Sequence, residues 1–493
     1  MTTTIIDRLA DFTANLRYED LPPNVVNESK RLLLDSIGCA LSGLMHSKGT
    51  SAVEYAQILG QGRRGEESTI LGVGRGVSPV AAGFANGELI NALDFDAILP
   101  PGHVSPYVLP GALAMAEILR LSGKALICAT ALSHEMSNRI GKSMDYLRDI
   151  KDGKISPPKV YGFSSTVFGA TAAVAYLRGQ NAEQVANGLG IAGSISPVNS
   201  LRAWTQHAPS TTIKYTAAGP LVQAAMSAAY MAEMGHRGDR LMLDDGEFGY
   251  RRIIGSGRWE PEKITPGLGS EWFFPAEQSY KPYPHCRILH APLDCLIDLV
   301  ERNDIKVSEI EAINVWVEGF VMQPLWLLRD IKHVTDAQFS IAHGLSLGAH
   351  RIPRGKAWQA PEVVFDPSVM QLMDKIHCEV HPDYEKLLSA VSASRPTRIE
   401  LRARGQVFVG ETRYPKGSPS PDPTSWMTDE ELADKFRGNA EGVLAPEQTE
   451  VVIKRLLTLE QVADFSSVME LLVPDATVPG KVRDVAAESL ASG

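Results

Sequence analysis

The amino-acid sequence predicts a mainly α-helical protein with an α+β second domain: a large all-helical domain built from both chain ends and a smaller α+β lid inserted into it. Three observations lead there. Helical periodicity dominates from about residue 5 to 268, period-two alternation appears near residues 313 and 399, and helical signals return after residue 423. With 493 residues the chain can bury one large core and one smaller one, since a domain takes roughly 100–200 residues.

After Pro22-Pro23, the residues Leu33, Ile37, Ala40 and Leu41 fall at i, i+4, i+7 and i+8, one face of an amphipathic helix. Residues 108–121, 166–177 and 217–234 read as further helices, and Ala and Gly dominate the last two. Small side chains let helix axes approach closely, so these helices are expected at the crowded centre of a bundle. Ile313, Val315 and Val317 then alternate with Asn314, Trp316 and Glu318. Ile399, Leu401 and Ala403 alternate with Arg398, Glu400, Arg402 and Arg404, and both patterns read as half-buried strands. Gly405 supplies a hairpin turn into Val407, Phe408 and Val409. Thr428 with Glu431 forms a capping box, and helical pattern runs on toward Leu472. The boundaries expected from these switches are 1–268 and 407–493 for the helical domain and 269–406 for the lid. No repeat of 20–50 residues and no low-complexity tract is present.

Composition narrows the function. Forty-eight Lys and Arg against 58 Asp and Glu give a formal charge of −10, and an anionic chain is a poor partner for nucleic acid, whose phosphates need a cationic field. The five cysteines, Cys39, Cys128, Cys286, Cys295 and Cys378, form no C-x-x-C pair, so zinc ribbons, iron–sulfur ligation and a disulfide framework are poorly supported. Reduced thiols, a first ten residues without a basic and apolar signal, and the absence of an apolar run near ~18 residues point to a cytoplasmic protein with no membrane association. A small-molecule protein is the expectation.

Several motifs compete for the chemistry. Gly188-Leu189-Gly190-Ile191-Ala192-Gly193 matches G-x-G-x-x-G, but a helical segment precedes it where a dinucleotide site needs a strand. His134-Glu135 lacks a second histidine, residue 138 being Asn, and reads as a polar helix face. Asp94-Phe95-Asp96 could converge on a cation, yet residues 97–101 add no oxygen side chain, so a cap or a hydrogen-bonding carboxylate is the better reading. His103 follows seven residues after Asp96, and an imidazole held near a carboxylate becomes a general acid or base near neutral pH. Lys214 lies in an almost uncharged stretch, 211–234, read as helical, which makes it either a snorkelling side chain or an anion partner. The segment from Tyr280 to His290 (YKPYPHCRILH) packs two cations and two imidazoles onto a proline-stiffened backbone, a fit for a small carboxylate at a domain junction.

At these residues the sequence resembles the MmgE/PrpD family, which includes 2-methylcitrate dehydratase, cis-aconitate decarboxylase and iminodisuccinate epimerase. The resemblance runs from Leu33-Leu34-Asp35-Ser36-Ile37-Gly38 through Asn91-Ala92-Leu93-Asp94-Phe95-Asp96 and Thr335-Asp336-Ala337-Gln338-Phe339-Ser340 to Asp434-Lys435-Phe436. Its most specific piece is Lys281-Pro282-Tyr283-Pro284 with Cys286-Arg287 and His290. It implies a helical domain with an α+β lid, a homodimer, and catalysis without metal or organic cofactor. It further implies Asp94, His103, Lys214 and Lys281 as the catalytic positions. Three departures stand out. The loop reads His103-Val104-Ser105 where the family has H-P-S, Ile98 replaces a polar residue, and Ser164-Ser165 follow Gly162-Phe163 where the family often carries a histidine.

The expected activity is a cofactor-independent lyase, a dehydratase or decarboxylase of a small di- or tricarboxylate. Lys214 and Lys281 would stabilise the carboxylate as an enediolate, His103 would move the proton and Asp94 would orient it or a substrate hydroxyl. Tyr161, Ser164 and Ser165 would supply hydrogen bonds where the histidine is missing, and Arg287 would help bind carboxylate. The apolar run Ile98-Leu99-Pro100-Pro101 suggests an alkyl-substituted citrate or aconitate. Alternative outcomes are isomerisation or epimerisation by proton return, and a non-catalytic carboxylate-binding homologue.

Overall fold

The computed structural model describes residues 3–474 apart from 145–147, 157, 159, 199–202 and 215–216. The helical body comprises α1 (Ile5–Asn15), α2 (Pro23–Gly43), α3 (Ser47–Leu59), α4 (Pro79–Asn91), α5 (Ser105–Ile118), α6 (Gly123–Lys142), α7 (Thr166–Leu177), α8 (Ala182–Ile195) and the helix Ala218–Glu233. The helices α5 and α7 and the helix Ala218–Glu233 pack on one another at the centre, flanked by α4 and α6. Small residues permit this closeness: a Cβ added to Gly169 of α7 would stand 2.4 Å from the Ser133 carbonyl oxygen of α6.

The chain ends meet in this body. From Leu32 onward α2 is buried on every side, because α4 and α6 cover part of it and the helices Asp429–Ala440 and Pro446–Leu457 cover the rest. The first of these begins at the expected capping box: Glu431 N donates to Thr428 Oγ1 at 3.2 Å, and Thr428 N donates to Glu431 Oε2 at 2.7 Å.

The strands are few. Hairpins β1 (Ser68–Ile70) with β2 (Gly74–Val77), β3 (Ile98–Leu99) with β4 (Gly102–His103), and β5 (Asp149–Lys151) with β6 (Lys154–Ser156) sit within the helical part. The α+β part holds one four-stranded sheet, in the order β10-β9-β7-β8. Its strands are β7 (Ile310–Val317), β8 (Ile376–Val380), β9 (Thr397–Ala403) and β10 (Gln406–Thr412). The pair β7–β8 is parallel and the others antiparallel, with Ile313 opposite Leu401 and Val315 opposite Ile399. These alternate residues form the buried face, against which the helix His290–Arg302 packs.

Two expectations are corrected. Lys214 is not helical, because the helix starts at Ala218. Had it begun at 211, Pro220 would lie in its interior, lacking an N–H and clashing with the preceding turn; at the actual start it falls in the first turn. Residues 215 and 216 of that stretch lie outside the described residues. The sheet also runs past residue 406. Arg404 and Gly405, at φ 57° and 68°, turn β9 directly into β10, so a boundary after 406 would separate strands that pair with each other.

Among the described residues no helix is long and apolar enough to cross a membrane. G-x-G-x-x-G lies wholly inside α8, with no strand before it.

Candidate active site

The site begins where α4 ends. Asn91 closes the helix, and the chain turns through Asp94, which takes φ 55°. This left-handed conformation is one Asp tolerates better than most residues. The β3–β4 hairpin then pairs Ile98 with His103 and Leu99 with Gly102. Gly102 lies so close to Phe163 that a Cβ would stand 1.8 Å from the ring. Ile98 also exchanges backbone hydrogen bonds with Ser279, at 2.7 and 2.8 Å, which ties the hairpin to the segment leading into Lys281.

His103 is buried between two carboxylates. Its Nδ1 lies 2.6 Å from Asp96 Oδ2 and its Nε2 lies 3.5 Å from Asp94 Oδ1. Burial alone would raise the Asp96 pKa, but the charge and hydrogen bond of His103 bring it below the usual carboxylate value. An ionised carboxylate only accepts, so Nδ1 carries the proton and Nε2 keeps its lone pair. Burial also pushes the His103 pKa below 6.5, with Asp96 offsetting part of that shift. At neutral pH the resting imidazole is therefore uncharged. Asn91 Nδ2 donates to the other Asp96 oxygen at 3.2 Å and fixes its orientation.

Lys281 is fully buried and donates to Asp94 twice, to its carbonyl at 2.8 Å and to Oδ2 at 2.7 Å. Burial would raise the Asp94 pKa, yet Lys281, Lys214 and His103 together hold it well below the usual carboxylate value. Lys214 stands on the far side of this carboxylate, 3.7 Å from Oδ1. Its ammonium donates to the carbonyls of Asn91 and Ala92 at 2.9 and 3.4 Å and to Gln338 Oε1 at 2.8 Å. Those three bonds use its three donors. Burial depresses its pKa to about 7, with Asp94 opposing the shift. Lys435 from the helix Asp429–Ala440 donates to Asp35 Oδ1 at 2.6 Å and to the Phe95 carbonyl at 2.7 Å.

A cavity of about 410 Å³ opens on His103 and Lys281. Its wall is shared between the helical and α+β regions of the chain. Tyr161, Phe163 and Trp204 come from the helical region, Phe320, Trp326 and Arg395 from the α+β region, and Arg287 from the junction. The aromatic rings touch in series, with Tyr161–Trp204 and Trp204–Trp326 centroids 6.1 and 6.2 Å apart and Phe163 6.4 Å from the His103 ring. Such a wall excludes water and strengthens every electrostatic contact inside it.

The sequence-selected residues divide into two groups. His103, Lys281, Tyr161 and Arg287 line the cavity; Asp94 and Lys214 stand outside its lining, with Asp94 joined to both Lys281 and Lys214. Ser164 and Ser165 lie in the buried turn Gly162–Ser165 outside the wall, and the Ser165 hydroxyl donates to the Gly162 carbonyl at 2.6 Å. Ile98 and Pro100 of the apolar run line the cavity, whereas Leu99 does not. His134 and Glu135 are buried within α6, where Glu135 binds Arg139 at 2.6 Å. The wall residues Lys142, Arg148, Trp204, Phe320, Trp326 and Arg395 carried no signal in the sequence, being scattered singly along the chain. No group of three or more His, Cys, Asp or Glu among the described residues is placed to hold a metal ion.

Comparison with known proteins bears on the same residues. Across nearly the whole chain it is similar to cis-aconitate decarboxylase of Mus musculus, 24% identical with 96% of this chain and 94% of the relative covered. The Homo sapiens protein of that name is 25% identical, with 96% and 95% covered, and the Aspergillus terreus protein 24%, with 95% and 96% covered. The MmgE/PrpD N-terminal domain matches residues 7–262 and the MmgE/PrpD C-terminal domain residues 283–460, so the two domains meet around the segment that carries Lys281. With more than half of its length matched in this way, the chain belongs to the MmgE/PrpD family.

Proposed function

We propose that the protein is a lyase that removes CO₂ or water from a small di- or tricarboxylate of the cis-aconitate or 2-alkylcitrate type, using its own side chains alone. The observation that carries this reading is the cation-lined cavity in which a tautomerically fixed imidazole, His103, stands beside Lys281. The names of the relatives support the carboxylate and favour decarboxylation.

In decarboxylation, the C–C bond to one carboxylate breaks and CO₂ leaves. The electron pair left behind spreads into a conjugated carboxylate until carbon takes a proton that Nε2 of His103 has first taken up from solvent, which returns the imidazole to its neutral form. In dehydration, Nε2 of His103 takes the proton α to a carboxylate and returns it to the departing hydroxyl, which leaves as water. Either path gathers negative charge on the remaining carboxylate. The Lys281 ammonium is preorganised by Asp94 to meet that charge, an effect whose loss costs roughly 10²–10³-fold in rate. Lys214 and Asp94 act one layer back by fixing Lys281 and His103, and Tyr161 presents its ring beside the reacting atoms. Phe163, Trp204 and Trp326 favour a substrate with an alkyl substituent. The same reading takes the protein to be a cytoplasmic homodimer, to be checked by a light-scattering mass twice that of the chain.

The test is to incubate purified protein with cis-aconitate, citrate, 2-methylcitrate and iminodisuccinate, recording CO₂ release, ultraviolet absorbance and proton NMR in D₂O. Loss of CO₂ or water from any of them is the expected result, and inertness toward the whole panel would sink the proposal. The uncharged His103 also favours a second reading, isomerisation by proton abstraction and return, which would appear as deuterium incorporation with no leaving group lost.

A further inference from the structure

The cavity wall is out of charge balance in one region. Lys142 pairs with Glu277 and Lys281 with Asp94. Three guanidiniums remain, and two of them share one carboxylate: Glu318 binds Arg148 directly and stands 3.7 Å from Arg395 Nε. Arg287 pairs with no acid among the described residues. It donates from Nε to Ser279 Oγ at 2.8 Å and from Nη2 to Ser418 Oγ. The acid whose charge acts on it most, Asp294, is committed to the Tyr283 hydroxyl at 2.7 Å and the Lys416 amide at 2.8 Å.

Two donors in this group have no partner among the described residues, Nη1 of Arg287 and Nε of Arg148, and both atoms are buried. A buried charged donor left unmatched is costly, which is why such groups elsewhere are paired. The charges of Arg148 and Arg287 both reach Arg395. Burial first, then the charges of Arg148 and Arg287, bring Arg395 down to about 9, and burial brings Arg287 down to about 10. The Arg148 guanidinium also lies over the Phe320 ring, 5.4 Å from its centroid, which holds it against the wall.

We propose that Arg148, Arg287 and Arg395 form a second anion subsite, separate from His103 and Lys281, that binds a remote carboxylate of the substrate. Guanidinium forks match the planar, bidentate geometry of a carboxylate, and two uncompensated positive charges suit an anionic arm better than a hydroxyl. The inference rests on the carboxylate reading above and adds to it which side chains select a substrate with at least two anionic groups. It also divides the labour within the cavity. Lys281 and His103 meet the charge that develops during reaction, whereas the arginines grip a charge that is constant throughout and so set binding rather than chemistry.

The test compares wild type with Arg395→Gln and Arg287→Met, two changes that leave the Arg148–Glu318 pair intact. Binding of propane-1,2,3-tricarboxylate, butyrate and inorganic phosphate is measured by calorimetry, with circular dichroism as the control for folding. Wild type should bind the tricarboxylate far more tightly than butyrate. Each variant should lose roughly 10- to 100-fold in tricarboxylate affinity with less than about twofold change for butyrate. On any substrate that turns over, KM should rise by a similar factor with kcat nearly constant, and Arg395→Lys should recover some of the loss. Unchanged tricarboxylate affinity in both folded variants overturns the subsite while leaving the lyase reading standing. Tricarboxylate binding that the variants weaken, without turnover of any substrate by wild type, supports the subsite and sinks the lyase reading. Phosphate binding tightly where the tricarboxylate does not bind overturns the assignment of a carboxylate.

Discussion

At the scale of single residues the proposed chemistry turns on the protonation of His103, and pH separates the two proposed lyase outcomes. If its neutral form abstracts a proton, kcat/KM is flat at about pH 7–8 and falls as pH drops below its pKa, which lies under 6.5. If the imidazolium must donate, the dependence is reversed and kcat/KM falls as pH rises through that pKa. His103→Asn should remove either limb and lower kcat/KM by about 10²–10⁴-fold. Lys281→Ala should affect folding as well as rate. It leaves Asp94 buried with Lys214, 3.7 Å away, as its remaining lysine counter-ion, so stability should fall by about 3–5 kcal/mol in denaturant unfolding. His103 and Lys281 are legible in the sequence because a motif and a dense basic segment mark them. That Lys214 spends its donors on Asn91, Ala92 and Gln338 is not, since all of these partners lie more than a hundred residues away. Neither is the arginine group, whose members share a cavity and no sequence pattern.

At the scale of elements, strands and long helices follow the periodicity of their side chains, because burial on one face is what imposes it. Ile313, Val315, Ile399 and Leu401 are read correctly for that reason. The two-residue strands β3 and β4 escape such a reading, as does the helix start at Ala218, which Pro220 fixes by falling in the first turn. The short hairpin nevertheless aims His103, and its placement depends on Gly102. At φ 152° and against Phe163, Gly102→Ala must displace the ring or the hairpin. The expected result is a loss of kcat of at least about tenfold in a protein that still folds by circular dichroism, since a ~1 Å misplacement costs about 10²-fold. Wild-type rates in this variant would dissociate the hairpin from catalysis.

At the scale of the molecule, burial of imidazoles sets an acid limit. His46 and His285 are pushed down to about 3 and His134 and His343 to about 4, chiefly by burial. Unfolding restores the ordinary value near 6.5, so below that pH the unfolded chain takes up protons that the folded one refuses. Stability is then fully present above about pH 6.5 and falls on acidification by about 1.4 kcal/mol per pH unit for each group. Melting curves at about pH 5 and pH 7 should differ by a net uptake of several protons on unfolding, and equal stability at the two values would contradict the burial assigned to these side chains.

The bond from Lys435 to the Phe95 carbonyl spans 340 positions. During synthesis the turn that bears Asp94 and Asp96 leaves the ribosome long before the helix whose ammonium secures it, so a nascent chain halted short of residue 435 holds these carboxylates without their underpinning. On the proposed reading, competence therefore waits for the helix that carries Lys435, and proteolytic trimming that removed it would silence the site from a point remote in the chain.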